Sequence, residues 1–83
     1  MLIMRITVKL YATLRRFAPE GTMIGEAFEV YSQGTTIGDL IKQLGVSEEQ
    51  AKIVMVNGQR VTNMNSNLAE NDLVVIFPPV GGG

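Results

Sequence analysis

Cysteine and histidine are both absent from this sequence of 83 residues. Without cysteine there is no disulfide, no thiolate nucleophile and no thiolate-held metal. Without histidine the chain lacks the commonest general base and metal ligand. Acidic side chains are also few: Asp39 and Asp72 join six glutamates, and only Glu48 and Glu49 are adjacent. Neighbours in sequence diverge on a helix, so that pair reads as a solvated face. The chain is poorly equipped to be an enzyme alone, and no metal site is expected. Any chemistry is left to main-chain ends.

Excess charge is missing too. The formal net charge is −1, and seven basic residues are scattered along the chain. Neither feature suits a polyphosphate backbone, so nucleic acid is excluded as a partner. No apolar run reaches the roughly 18 residues of a membrane span. Met1-Leu2-Ile3-Met4 is too short for a signal-peptide core, and Arg5 interrupts it. A cytoplasmic protein with no membrane association is expected. What is present is a hydrophobic content of 46%, enough for one small packed domain over residues 1–83.

Periodicity places the elements. Ile6, Val8 and Leu10 alternate with Arg5, Thr7, Lys9 and Tyr11, which predicts a half-buried strand. Ala12 to Phe17 can form a helical turn before Pro19-Glu20-Gly21 breaks it. Arg15-Arg16 reads as a solvated turn or a partner contact. Glu26 to Tyr31 predicts a second strand with Phe28 and Val30 inward, hairpin-paired to the first.

The one main helix follows. Thr36 is the predicted N-cap, with Asp39 in the first turn where the helix dipole favours negative charge. Ile37, Leu40, Ile41 and Leu44 make one apolar stripe, Lys42 and Gln43 face outward, and Gly45 suits the C-terminal left-handed position. Gly34 and Gly38 are not followed by Gly-Lys-Ser/Thr, which argues against a phosphate loop.

Ser47 to Gln50 predicts a capped short turn, and Ile53 to Val56 a strand. Asn57-Gly58 is a strong hairpin signal, with Arg60-Val61-Thr62 returning. Register through residues 59–72 is not readable. Leu73 to Phe77 is apolar at every position, so the strand should be central, buried on both sides, or partly reserved for a partner. The order β-β-α-β-β-β predicts an α+β fold: a mixed sheet with one helix on one face, and the first and last strands side by side in the middle. That is the β-grasp, ubiquitin-like arrangement.

After that last strand come Pro78, Pro79, Val80, Gly81, Gly82 and Gly83. Two prolines cannot donate to a ladder, so they stop the strand and keep the chain extended. Glycines without Cβ atoms make a thin, flexible tail over 80–83. Four extended residues reach at most about 14 Å, enough to enter another protein's active site. The opposing reading is an idle terminus.

The chain resembles the small sulfur-carrier subunit of molybdopterin synthase, a ubiquitin-like family, over nearly its whole length. The marks are Val8-Lys9-Leu10-Tyr11-Ala12-Thr13-Leu14-Arg15, Val56-Asn57-Gly58, and Asp72 through Val80 leading to Gly82-Gly83. Gly81 departs from many relatives, which carry a bulkier residue there.

The resemblance implies that a ubiquitin-activating-type enzyme adenylates the Gly83 carboxylate with ATP. A sulfur donor system then converts it to a thiocarboxylate. The large synthase subunit uses that sulfur for the dithiolene of molybdopterin, two carriers serving each product. No cofactor is held by the chain itself. Gly83 is the reacting residue on this reading, and Phe77, Pro78, Pro79, Val80, Gly81 and Gly82 meet the partners. Phe77 can equally close the domain's own core. The same terminus fits carriers for thiamine, cysteine, tRNA thiolation or tungsten-pterin pathways, and a ubiquitin-like tag joined to lysines.

Overall fold

The first strand owes its position to its alternation. In the computed structural model, which describes residues 3–80, β1 spans Met4–Leu10 and buries Ile6, Val8 and Leu10. The chain then forms a 3-10 helix over Ala12–Phe17, with Leu14 buried and Arg15 and Arg16 exposed. The remaining elements are β2 (Phe28–Ser32), α1 (Ile37–Leu44), β3 (Ile53–Val56), β4 (Gln59–Val61) and β5 (Leu73–Phe77).

These strands form one sheet in the order β2-β1-β5-β3-β4. β1 and β5 pair in parallel at its centre, Thr7 opposite Leu73 through Leu10 opposite Ile76. The other pairings are antiparallel. The even-numbered side chains Ile6, Val8, Leu10, Val54, Val74 and Ile76 turn to one face. There they pack with the helix residues Ile37, Leu40 and Ile41 in a single core. This is the mixed-sheet, one-helix β-grasp arrangement that the element order predicts.

Local signals set the helix. The Thr36 hydroxyl accepts from the Asp39 N–H at 3.1 Å, and Asp39 Oδ2 accepts from the backbone N–H groups of Thr36 at 3.2 Å and Thr35 at 3.1 Å. Gly45 closes the other end at φ 87°. A Cβ on Gly34 would fall inside the Asp39 side chain, so the glycine there serves close packing. The remaining amides at the helix start are taken: Ile37 N–H donates to Ser66 O at 3.0 Å and Gly38 N–H to Met64 O at 2.8 Å. No donor set is left for a phosphate, which disposes of the phosphate-loop alternative in atomic terms.

Strand boundaries differ from the sequence reading in three strands; β1 ends at Leu10, one residue before Tyr11, and β2 runs one residue past Tyr31, to Ser32. β2 begins at Phe28 and not Glu26, because Glu26 belongs to a turn: its N–H donates to Met23 O and its carboxylate accepts from Met23 N–H at 2.8 Å. β4 starts at Gln59 and ends at Val61, not Thr62. Asn57 (φ 52°) and Gly58 (φ 85°) form a two-residue turn of the type suited to strand twist, which places Gln59 opposite Val56. Ser47 and Gln50 exchange the reciprocal capping bonds expected of them, at 3.0 and 3.1 Å. Gln43 faces outward as expected, but its carboxamide also binds Tyr31 O at 2.9 Å and Gln33 N–H at 3.1 Å, covering the free edge of β2. No helix among the described residues is long and apolar enough to cross a membrane.

The cap makes stability pH-dependent. The backbone N–H of Thr36, then its hydroxyl, then the Thr35 N–H hold the Asp39 carboxyl below its usual value, with Lys42 adding a favourable charge. A depressed folded value means the contribution is complete above the unfolded value, near pH 3.9, and is lost as pH falls through the folded one. The melting-temperature gap between wild type and Asp39→Asn should therefore shrink below about pH 4; a gap unchanged down to about pH 2 would contradict this account. Gly34→Ala should cost about 1–3 kcal/mol in urea unfolding through overpacking.

Candidate functional site

β5 runs through the centre of the sheet and delivers the chain to its end. Exposure rises along it: Ile76 is buried, Phe77 and Pro78 are half-buried, Pro79 is exposed and Val80 is 92% exposed. The prolines lack the N–H groups that would continue the ladder, so pairing stops as the chain leaves the fold. Gly81, Gly82 and Gly83, assigned from the sequence as the tail's end, lie outside the described residues.

Phe77 is the last residue anchored by strand pairing. It lies opposite Ile53 of β3, and its ring stacks on Tyr11 with centroids 4.8 Å apart and planes 12° apart. The Tyr11 N–H extends the parallel ladder one step, donating to Ile76 O at 3.3 Å. So Phe77 neither sinks into the main core nor stands free; it closes the sheet end and remains partly accessible.

The sheet face away from α1 carries an apolar stripe. Leu73, Val75 and Phe77 of β5 and Ile53 and Met55 of β3 are all half-buried. Lys9 pairs with Val75 on one side, and Met55 with Arg60 on the other. The stripe is therefore flanked in register by two cations. The expectation for β5 holds in its central placement and not in burial on both sides: Val74 and Ile76 are buried, while Leu73, Val75 and Phe77 are only half-buried.

Other residues of the sequence motifs brace this strand. Asn57 donates to Asp72 Oδ1 at 2.8 Å, and its Oδ1 accepts from Leu73 N–H at 2.9 Å. Asp72 Oδ2 accepts from Ala69 N–H at 2.8 Å. Val56-Asn57-Gly58 and Asp72 thus fix where β5 begins, at the sheet end opposite the tail. Beside the tail's root, Pro79 lines an open cavity of about 390 Å³ with Glu48, Glu49 and Lys52 on its rim. Among the described residues no group of three or more acidic side chains is placed to hold a metal.

Sequence reasoning did not single out Tyr11 or Ile53. The alternation of β1 puts Tyr11 on the outward side, but nothing local says which residue it meets. Only the parallel register of β1 on β5 brings it to Phe77.

A model of the ThiS family matches residues 8–83. No curated protein matches the chain. Several solved structures do. A Pyrococcus furiosus protein described as a candidate molybdopterin converting factor subunit 1 is 26% identical, with TM-score 0.64, covering 93% of this chain and 99% of its own. The Haloferax volcanii small archaeal modifier protein 1 is 25% identical, with TM-score 0.65 and coverage of 93% and 99%. A Helicobacter pylori complex of subunits 1 and 2 of molybdopterin-converting factor gives 20% identity, TM-score 0.59 and coverage of 96% and 100%. That last likeness is one of fold.

The two faces of β5 should separate in mutational cost. Ile76→Ala, at a position with no exposure, should destabilise by about 2–5 kcal/mol in denaturant unfolding. Val75→Ala, one residue away on the half-covered face, should cost about 1 kcal/mol or less. Equal losses would contradict a strand with only one fully buried face.

Proposed function

The chain belongs to the ThiS family, and on that footing we propose that it carries sulfur as a thiocarboxylate on Gly83 for the dithiolene of molybdopterin. The observation that carries the proposal is the course of β5. A central strand, held on both sides by pairing, ends in an anchored Phe77 and then emerges through Pro78, Pro79 and Val80 toward the glycines.

The chemistry follows from the poverty of side chains. The Gly83 carboxylate attacks the α-phosphorus of ATP held by a ubiquitin-activating-type enzyme, and pyrophosphate leaves. The acyl-adenylate is a mixed anhydride. A sulfur donor system attacks its carbonyl carbon, AMP leaves, and the C–O bond to phosphate is replaced by a C–S bond. The large synthase subunit then transfers the sulfur to the pterin precursor, and water restores the carboxylate. Each carrier brings one sulfur, so two are consumed per dithiolene. ATP is the partner's substrate, and this chain holds no cofactor in the scheme.

Each part of the geometry has a use in that scheme. Residues 80–83, if extended, span at most about 14 Å, and glycines pass a channel that a Cβ would block. The half-buried stripe of Leu73, Val75 and Met55 is continuous with the tail's root and suits a partner that docks there. Lys9 and Arg60 at its margins suit a partner with acidic residues around an apolar centre. The Helicobacter pylori complex of subunits 1 and 2 is a precedent for a large-subunit partner.

A second reading is favoured by the Haloferax volcanii modifier at 25% identity. In it a lysine amine, not a sulfur donor, attacks the acyl-adenylate, and the product is an isopeptide. Carriers of the same fold for thiamine, cysteine, tRNA thiolation or tungsten-pterin synthesis share the first two steps.

Deleting Gly82-Gly83 should leave unfolding unchanged and abolish ATP-dependent activation; activation that persisted would refute the terminal assignment. With activating enzyme, ATP and sulfide, the intact mass should change by one oxygen exchanged for one sulfur. Adding the large subunit and the pterin precursor should consume that mass and yield molybdopterin. Lysine-linked adducts in place of the sulfur exchange would select the modifier reading, and transfer only in a thiamine or tRNA assay would select another pathway.

A further inference from the structure

The residue after Tyr11 holds an uncommon backbone. Ala12 sits at φ 53°, in the left-handed region that costs a residue with a Cβ, and no glycine relieves it. Tyr11 itself is extended at φ −115° and ψ 156°. The change of backbone region between them leads from β1 into the 3-10 helix. Tyr11 O accepts from Leu14 N–H at 3.1 Å, and Leu14 is buried at 1% exposure.

Strain of this kind persists where the surroundings over-determine it, and it marks places where geometry matters. Here three constraints meet on the backbone of one residue. The Tyr11 N–H is tied to Ile76 O, its carbonyl is tied to Leu14, and Leu14 is wedged in the core. With the backbone so held, the ring lies flat against Phe77, centroids 4.8 Å apart. Phe77 in turn lies opposite Ile53. The last paired residue before Pro78 is therefore held between β3 on one side and the Tyr11 ring on the other.

We propose that Tyr11 is a positioning residue for activation of the terminus: its ring clamps Phe77 and thereby sets the direction in which Pro78, Pro79 and Val80 leave the sheet. The proposal rests on the carrier reading above. Docking on the sheet face brings the partner near, and the exit direction decides how often the terminal carboxylate meets the α-phosphorus. Proline fixes φ at 78 and 79, and Phe77 and Pro78, each preceding a proline, are held to extended ψ, so a rotation at Phe77 is largely passed on through both. A misplacement of about 1 Å remote from the reacting atoms is enough to cost up to about a hundredfold in rate.

The test compares wild type, Tyr11→Ala and Tyr11→Phe in ATP–pyrophosphate exchange with the activating enzyme, varying the carrier concentration. Tyr11→Ala should lower kcat about tenfold and leave KM within about twofold. Tyr11→Phe, which keeps the ring, should restore kcat. A loss confined to KM would make Tyr11 a docking contact and overturn the proposal, as would a Tyr11→Phe variant as slow as Tyr11→Ala.

A second measurement needs no partner. Backbone ¹⁵N relaxation at the Val80 amide should show greater mobility in Tyr11→Ala than in wild type, while amides of Ile6, Val8 and Val74 keep their hydrogen-exchange protection. Unchanged relaxation at Val80 would overturn the clamp. If wild type itself is never adenylated, the carrier reading fails, and the relaxation arm still decides whether Tyr11 orients the tail's root.

Discussion

The parallel pairing of β1 with β5 is the contact on which the rest of this structure depends. Parallel neighbours cannot be joined by a tight turn, and here everything between residues 11 and 72 forms the connection. The pairing puts the two ends of the domain at the centre of the sheet, where Val8 and Val74 lie opposite each other with no exposure. It also aligns the strands' C-terminal ends. The 3-10 helix after β1 and the tail after β5 therefore share one end of the molecule. The Tyr11–Phe77 stack, the proline exit and the apolar stripe are consequences of that alignment.

A second dependence runs through the helix start. The segment before β5 has little regular structure of its own, yet it supplies Ser66 O and Met64 O to the helix amides and Leu68 N–H to Thr35 O at 2.7 Å. The same bonds hold the segment in place, with Leu68 buried beneath it. At the other end of the strands, Glu70 accepts from Arg5 N–H at 2.9 Å, and Asn71 N–H donates to Arg5 O at 2.8 Å. Asn71 takes a positive φ of 71° there, which asparagine tolerates better than most residues. β5 thus enters the sheet between partners that fix its start to a single register.

These dependences explain what could be read from the sequence. The alternation of β1, the helix stripe with its Thr36, Asp39 and Gly45 ends, and the Asn57-Gly58 turn are local and were all legible. Even the central placement of the first and last strands followed from their apolarity. The register of residues 59–72 was opaque because long-range bonds hold most of them: Met64 and Ser66 answer to a helix some 26 to 29 positions away, and Asn71 to Arg5. The Glu26 boundary failed because one carboxylate capped its own turn where a strand register also fitted. In the candidate site, the proline stop and the exposed Val80 were legible. Tyr11 was legible as an outward residue only, since its partner is set by the β1–β5 register.

A strand apolar at every position creates a conflict that the fold has to settle. Such a strand at a sheet edge would recruit other copies of itself. Placed at the centre, β5 has both edges consumed by β1 and β3, and its even residues are sealed by α1. Only Leu73, Val75 and Phe77 are left to manage, and they are half-covered by neighbours and bordered by Lys9 and Arg60. The sheet's own outer strands are guarded by other means, β4 by its three-residue length and β2 by the Gln43 carboxamide. The outcome is one apolar surface that a partner can cover, charged at its margins against self-association, with the chain's exit at its end. On the proposed carrier reading, docking and delivery of the terminus use the same strand, one through its open face and the other through its direction, and Phe77 is the residue where the two meet.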